Sequence, residues 1–292
     1  MQRQYLTLLT FVLIVFSCKT TKKDDSDLFA EGVAQGKVSS KLEEASGLVS
    51  SVLNSGHLWV INDSGNKAEV YLINGKADVV LTCQLENIKN RDWEDIAIGK
   101  RPGSDDPFVY VGEVGDNEAK YEFKYLYRFA EPILNEDKKI SIEYVETMVV
   151  SLPDGPRDME AIAIDQRTGD LYLVSKREEN VSVYTVPFNK LNDGDTLVPE
   201  KLLTLPYHNV VAADLSFDGK EILIKTYDEI YYWNTGDSLS IAQSIQLPAI
   251  TLDYSGEPQG ESIAWALDGK GFYTLSESVD GQAAKLYYYK RN

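Results

Sequence analysis

One octapeptide pattern recurs in this chain: Arg91-Asp92-Trp93-Glu94-Asp95-Ile96-Ala97-Ile98 reappears, changed at two positions, as Arg157-Asp158-Met159-Glu160-Ala161-Ile162-Ala163-Ile164. Gly260-Glu261-Ser262-Ile263-Ala264-Trp265 is a third copy, and Glu44-Ala45-Ser46-Gly47-Leu48-Val49 a fainter fourth. Such repetition constrains the fold more tightly than composition does, because each copy builds one supersecondary unit that must stack on its neighbours. From about Val33 onward there is hardly any helical periodicity. Short alternating or β-branched runs are separated by Gly, Asp, Asn and Pro, which reads as an all-β chain.

Each copy leads through a turn into a second strand: Leu58 to Asn62, Phe108 to Gly112, Leu171 to Ser175, Ile222 to Thr226 and Phe272 to Ser276. Counting back from the strand end gives 15 residues to Glu160 and 15 to Glu261, and 18 to Glu44 and to Glu94; in the remaining unit the step of 15 lands on Val211. There are thus five units, one of them without the glutamate. A third, Tyr-rich strand follows in each. Fourth strands are expected at Val79 to Leu85, Ile140 to Leu152, Lys201 to Leu205 and Ile241 to Leu247, but the last unit ends at Asn292 without one. The spare run Gly32 to Val38 can supply it, closing a ring and hiding the sheet edges. The expected fold is a five-bladed β-propeller of four-stranded blades closed by the N-terminal strand. Six blades is the alternative, if the long stretch between the second and third units hides another.

The N-terminus reads as an address. Arg3 precedes an apolar run from Tyr5 to Phe16, which is too short to span a bilayer, and Ser17-Cys18 follows. Residues 1–17 are expected to be a signal peptide. Val15-Phe16-Ser17-Cys18 resembles a bacterial lipobox, which implies a diacylated Cys18 in an exported, membrane-anchored lipoprotein, periplasmic or at the cell surface. Phe16 is bulkier than that motif prefers, and the plainer reading is a signal peptide whose cysteine is incidental. Residues 18–31 read as a flexible tether and 32–292 as a single propeller domain. The apolar surroundings of Cys83 suit a buried, inert thiol. With 29 Lys and Arg against 46 Asp and Glu, the formal charge is −17. That excludes a nucleic-acid partner and leaves the lipid on Cys18 as the one membrane contact. Two His and two Cys are too few for a structural zinc site.

In a propeller the start of each innermost strand and the end of the second lie on one face. That face collects Glu44, Glu94, Glu160 and Glu261 from the first strands, and Asp63, Glu113, Lys176, Tyr227 and Glu277 from just beyond the second. The entering loops add Arg91, Asp92, Arg157, Asp158 and His208. Carboxylates held together repel unless a proton, an Arg or a cation intervenes. Hard oxygen donors converging from a ring of loops favour Ca²⁺, and Glu44, Asp63, Glu94, Glu113, Glu160, Glu261 and Glu277 are the candidate metal ligands. Arg91, Arg157, Lys176 and Tyr227 are candidate ligand-binding residues, although inter-blade ion pairing is the simpler reading of the two arginines. Glu94, Glu160, Glu261 and His208 are the candidates for catalysis. There is no Gly-x-Ser-x-Gly elbow, and His208 is the one histidine a Ser/His/Asp triad could use.

The segments Leu58-Trp59-Val60-Ile61-Asn62-Asp63-Ser64-Gly65-Asn66, Val109-Tyr110-Val111-Gly112-Glu113-Val114-Gly115-Asp116-Asn117 and Ala212-Ala213-Asp214-Leu215-Ser216-Phe217-Asp218-Gly219-Lys220 resemble a family of secreted bacterial β-propeller lipoproteins of unknown function. Asp92-Trp93-Glu94-Asp95-Ile96-Ala97 and Gly260 to Trp265 continue the likeness, which extends over nearly the whole chain after Cys18. More distantly it resembles the SdiA-regulated and "esterase-like activity of phytase" propeller families. The resemblance implies calcium binding and hydrolysis of phosphate or carboxylic esters, with no catalytic residues to carry over. Where the family shows Gly-Asp-Ile-Gly-Asp-Asn, this chain has Gly112-Glu113-Val114-Gly115-Asp116-Asn117. Three readings therefore stand side by side. One is a cation-binding envelope propeller that hydrolyses a phosphoester or other ester and takes an anionic or polyhydroxylated small molecule. Another is a non-enzymatic scaffold for a ligand or an envelope protein. The last is a metal-independent glycosidase using paired carboxylates.

Overall fold

The computed structural model describes residues 25–292. The signal peptide, Cys18 and the first part of the tether lie outside the described residues. The chain begins with a 3₁₀ turn at Asp25–Leu28, then β1 (Val33–Lys37). The first blade is β2 (Ala45–Ser50), β3 (His57–Asn62), β4 (Glu69–Asn74) and β5 (Val79–Leu85). The second starts with β6 (Trp93–Arg101), β7 (Ser104–Glu113) and β8 (Lys124–Ala130); after β9 (Lys139–Ile142) it ends with β10 (Glu146–Val150). The third is β11 (Met159–Ile164), β12 (Leu171–Ser175) and β13 (Val181–Val186), completed past β14 (Thr196–Leu197) by β15 (Glu200–Leu205). The fourth is β16 (Val210–Leu215), β17 (Glu221–Thr226), β18 (Ile230–Asn234) and, beyond the short helix α1 (Ile241–Ser244), β19 (Ile250–Leu252). The fifth is β20 (Gly260–Trp265), β21 (Gly271–Ser276) and β22 (Lys285–Lys290), onto which β1 adds antiparallel.

These five sheets form a five-bladed β-propeller. The innermost strands β2, β6, β11, β16 and β20 contact one another in sequence order, and β20 returns to β2. They are buried on both faces, because each packs against the strands on either side around the ring. Five apolar clusters fill the spaces between successive blades. Trp59, Trp93 and Phe129 meet between the first and second, for example, and Leu58, Val60, Leu275 and Leu286 between the fifth and first. The blades approach closely enough that a Cβ on Gly47 would press on the backbone of Asp95. Closure by the N-terminal strand is as expected, since β1 occupies the outer edge of the fifth blade.

Four details correct the sequence reading. The expected strand Ile140 to Leu152 divides: β9 crosses to the first blade and pairs in parallel with β5, and only β10 stays in the second. β14 pairs in parallel with β10, so the first two blades have five strands. No sixth blade arises from that stretch. The expected strand Ile241 to Leu247 contains α1 instead, where Ser240 and Gln243 make a reciprocal capping box, and β19 is the outer strand. The tether expected over 18–31 ends earlier, because Phe29 is buried against Tyr232, Trp265 and Phe272. Among the described residues no helix is long and apolar enough to cross a membrane.

Candidate functional site

The same irregularity interrupts every innermost strand near its first residue. Pairing slips by one residue between Ala45 and Gly47, Trp93 and Asp95, Met159 and Ala161, Val210 and Ala212, and Gly260 and Ser262. The bulged residues are therefore Ser46, Glu94, Glu160, Val211 and Glu261. A bulge leaves one residue out of the ladder and re-aims its side chain, which makes this ring of positions a natural mouth. Glu94, Glu160 and Glu261 occupy the positions expected of them, and Val211 fills the slot without a carboxylate. The fourth expected position is not equivalent. Ser46, whose hydroxyl donates to the Trp93 carbonyl at 2.9 Å, takes the bulge, while Glu44 lies two residues earlier on the exposed rim and accepts a hydrogen bond from Asn66.

Two triads of carboxylates converge here, each with ligand-capable oxygens within 4.8 Å of one another: Asp63, Asp92 and Glu94, and Glu94, Asp158 and Glu160. Glu94 belongs to both. The second triad is already neutralised. Lys176 Nζ lies 2.9 Å from Glu160 Oε1, Arg177 donates to Asp158 Oδ2, and the Asp116 amide donates to Asp158 Oδ1 at 2.7 Å. In the first triad none of the three forms a salt bridge among the described residues, and the hydrogen bond into it is from the Ser64 amide to Asp63. Gly115 closes over these groups; a Cβ there would overlap Glu94 Oε1 and the Asp92 carboxyl.

Acidity follows from this crowding. Burial, reinforced by the charges of Glu160 and Asp63, drives the Glu94 carboxyl well above the usual carboxylate range. Burial also raises Asp92, with Asp158 adding to it, and pushes Asp63 up to about 6. Glu160 rises to about 8 through burial even though Lys176 pulls the other way. Glu277 also rises to about 8, from burial and then from the charges of Glu261, Asp63 and Glu44. Burial opposes the charge on Lys176, yet Glu160, Tyr227 and Glu261 hold it above the usual lysine range. Tyr227 Oη donates to Glu261 Oε1 at 2.6 Å, and its ring lies 5.2 Å from Lys176 Nζ. The mouth therefore has an uncompensated carboxylate side, formed by the first two blades, and a Lys176–Tyr227–Glu261 side.

Several expected members lie elsewhere. Glu113 is the last residue of β7, opposite Trp93. It pairs with Arg91 at 3.6 Å and accepts from the Tyr127 hydroxyl at 3.2 Å, supporting the Arg91 loop. Arg91 itself stacks over Tyr121. Arg157 pairs with Asp154 in its own entry loop and with Glu178 in the β12–β13 turn of the same third blade, so its ion pairs are local and not between blades. His208 is exposed, with Nδ1 3.0 Å from the Glu178 carbonyl oxygen, and joins neither triad. The Gly115-Asp116-Asn117 turn is a strut: Asp116 holds Lys124 at 2.7 Å and the Lys120 and Tyr121 amides. Asp92 and Asp158 were not among the expected ligands, although their constant offset of two residues before Glu94 and Glu160 was the available signal.

No family model matches this chain, and no curated protein is significantly similar to it. The fold and the mouth define it as a five-bladed propeller with buried acidic clusters.

Proposed function

We propose that this chain is an exported propeller lipoprotein that binds one divalent cation, Ca²⁺ by preference, through Asp63, Asp92 and Glu94. The observation that carries the reading is the contrast between the two triads: one is ion-paired by Lys176 and Arg177, and the other forms no salt bridge among the described residues, with Arg91 and Lys124 acting on Asp92 only from a distance. Three crowded carboxyls, Glu94 buried and Asp63 and Asp92 half-buried, either hold protons or attract a cation, and hard carboxylate oxygens suit Ca²⁺ or Mg²⁺. Loops from two blades, in place of one rigid octahedral cage, favour the larger ion. A propeller of the lipoprotein family it resembles would be anchored through Cys18.

Ester hydrolysis is a second reading, favoured by Glu160. A carboxyl whose proton affinity burial raises to about 8, and which can share that proton with Lys176 at 2.9 Å, is placed to give it to a leaving group. A bound cation would reverse the local charge that otherwise repels an anionic ester. The test is thermal unfolding of metal-stripped protein with Ca²⁺, Mg²⁺, Mn²⁺ or chelator. A saturable rise in Tm that is largest for Ca²⁺ and shrinks in Glu94→Gln is expected, because a ligand selective for the native state raises its stability. No shift with any cation would refute the metal reading and leave a scaffold. Phosphoester turnover abolished by chelator would separate the hydrolase from a scaffold with a structural ion, and neutral-glycoside cleavage in chelator would point to the glycosidase.

A further inference from the structure

The face opposite the mouth has its own cleft, between the second and third blades. It has a volume of about 410 Å³ and is lined by the β6–β7 turn (Lys100, Arg101, Asp105) and the β11–β12 turn (Asp165, Arg167, Thr168), with the two carboxylates set against three cations. The described residues include seven arginines. Arg91, Arg128, Arg157, Arg177 and Arg291 each donate at least one side-chain hydrogen bond. The other two, Arg101 and Arg167, donate none within the described residues, and both line this cleft.

Their nearest anions are already engaged. Arg101 Nη1 is 3.4 Å from Glu146 Oε1, but Glu146 is held by the buried Arg128, so one carboxylate serves two guanidinium groups. Arg101 Nε is buried without an acceptor. Arg167 Nε is 3.5 Å from Asp165 Oδ1, which accepts the Arg167 backbone amide at 2.8 Å. Lys100 pairs with Asp105, whose side chain is 96% exposed and free to swing away. Arg167 is exposed and Arg101 half-buried, so both guanidinium heads reach solvent at the cleft, and Arg101 Nε is the one cleft-lining donor buried without an acceptor among the described residues of a chain of formal charge −17.

We propose that this cleft binds an oxyanion group, phosphate or sulfate in chemistry, clamped between Arg101 and Arg167 with Lys100 at the rim. Guanidinium forks match tetrahedral oxyanions with paired hydrogen bonds. The cleft exceeds one phosphate in size, so the group is carried on a small organic molecule or a lipid headgroup. The site is independent of the cation at the mouth.

Calorimetric titration of the full-length protein with inorganic phosphate, glycerol 3-phosphate and short-chain phosphatidylglycerol, with chloride and short-chain phosphatidylcholine as controls, tests this. Saturable binding is expected, weakened about tenfold or more in Arg101→Met and in Arg167→Gln, as loss of a charge-assisted hydrogen bond requires, and unchanged in Glu94→Gln. Arg167 lies on a turn, so its variant reads the site even if Arg101→Met, which loses packing on Phe108, fails to fold. Binding of phosphatidylglycerol alone assigns the group to a headgroup, and binding of the soluble phosphates alone to a free monoester. No saturable binding of any phosphate probe, or binding undiminished in both arginine variants, overturns the proposal.

Discussion

Glu94 is the residue on which the mouth turns. It is 6% exposed, belongs to both triads and has no cationic partner of its own among the described residues. Its neighbours give a signed pH dependence. Asp63 rises from 3.8 to about 6, and Glu160 and Glu277 from 4.5 to about 8, so between pH 4 and 8 the folded chain holds more protons than the unfolded one. Stability must then fall as pH rises through that window, the reverse of the salt-bridged carboxylate case. Thermal unfolding in chelator is expected to give a higher Tm at pH 5 than at pH 8, with Ca²⁺ removing most of the difference; a Tm that climbs from pH 5 to 8 in chelator would contradict the raised values. A second expectation concerns Gly115. Gly115→Ala pushes a methyl group into the Glu94 and Asp92 carboxyls, and should weaken cation affinity about 10- to 100-fold by calorimetry, as displaced ligand support does elsewhere, while circular dichroism stays native. The sequence carried much of this site. Glu94, Glu160 and Asp63 were legible from the repeat, whereas Glu44 and Glu113 were misplaced, because a bulge and two long turns shift the count by residues that only pairing reveals.

At the scale of elements, the innermost strands are joined by side chains as well as by packing. Asp214 accepts the Leu215 amide at 2.8 Å and, from the next blade, the Trp265 amide at 2.7 Å. Asp95 does the same for Ile96 and Ile162 at 2.8 and 3.0 Å. Both carboxyls are raised by burial, Asp214 to about 7. Asp214→Ala leaves the Trp265 amide without its acceptor in a part-buried interface, and should cost about 1–3 kcal/mol in chemical denaturation. Asp214→Asn, which keeps one acceptor oxygen, should cost less; equal losses would show that packing and not the hydrogen bond is responsible. Strand identity was legible wherever apolar alternation was strong, as in β5 and β12, whose bounds match expectation. β9 and β14 were not, because a few half-exposed residues pair in parallel with a neighbouring blade, and nothing local records that pairing.

Ring closure governs the molecule as a whole. β1 joins β22, and the arm before it is stitched down as the Ala30 amide donates to the Lys290 carbonyl at 2.7 Å and the Asn292 amide to Leu28 at 3.1 Å. The C-terminal end of β22, where Lys290 pairs with Gly271, therefore lies on the face opposite the mouth. Phe29 fastens the arm between the fourth and fifth blades, with ring centroids 5.0 Å from Phe272 and 5.9 Å from Trp265. Phe29→Ala should cost about 3–5 kcal/mol, with the loss confined to earlier exchange of amides in β1, β22 and β19; uniform exchange across all blades would argue against a local clasp.

Alternation, turn residues and the repeat determined by themselves that this chain is all-β and built of repeated units, because these properties are local or recur with a period, and they led to five blades closed by the first strand with six as the alternative that the tertiary structure removed. Tertiary structure alone decided which carboxylates are compensated. Asp158 and Glu160 are neutralised by Arg177 and Lys176 from the loop after β12, while Asp63, Asp92 and Glu94 meet from two blades with no salt bridge among the described residues. The physical reason is distance: the energy of a buried charge depends on what lies within a few ångströms of it, and in a closed ring those neighbours come from strands far apart in sequence.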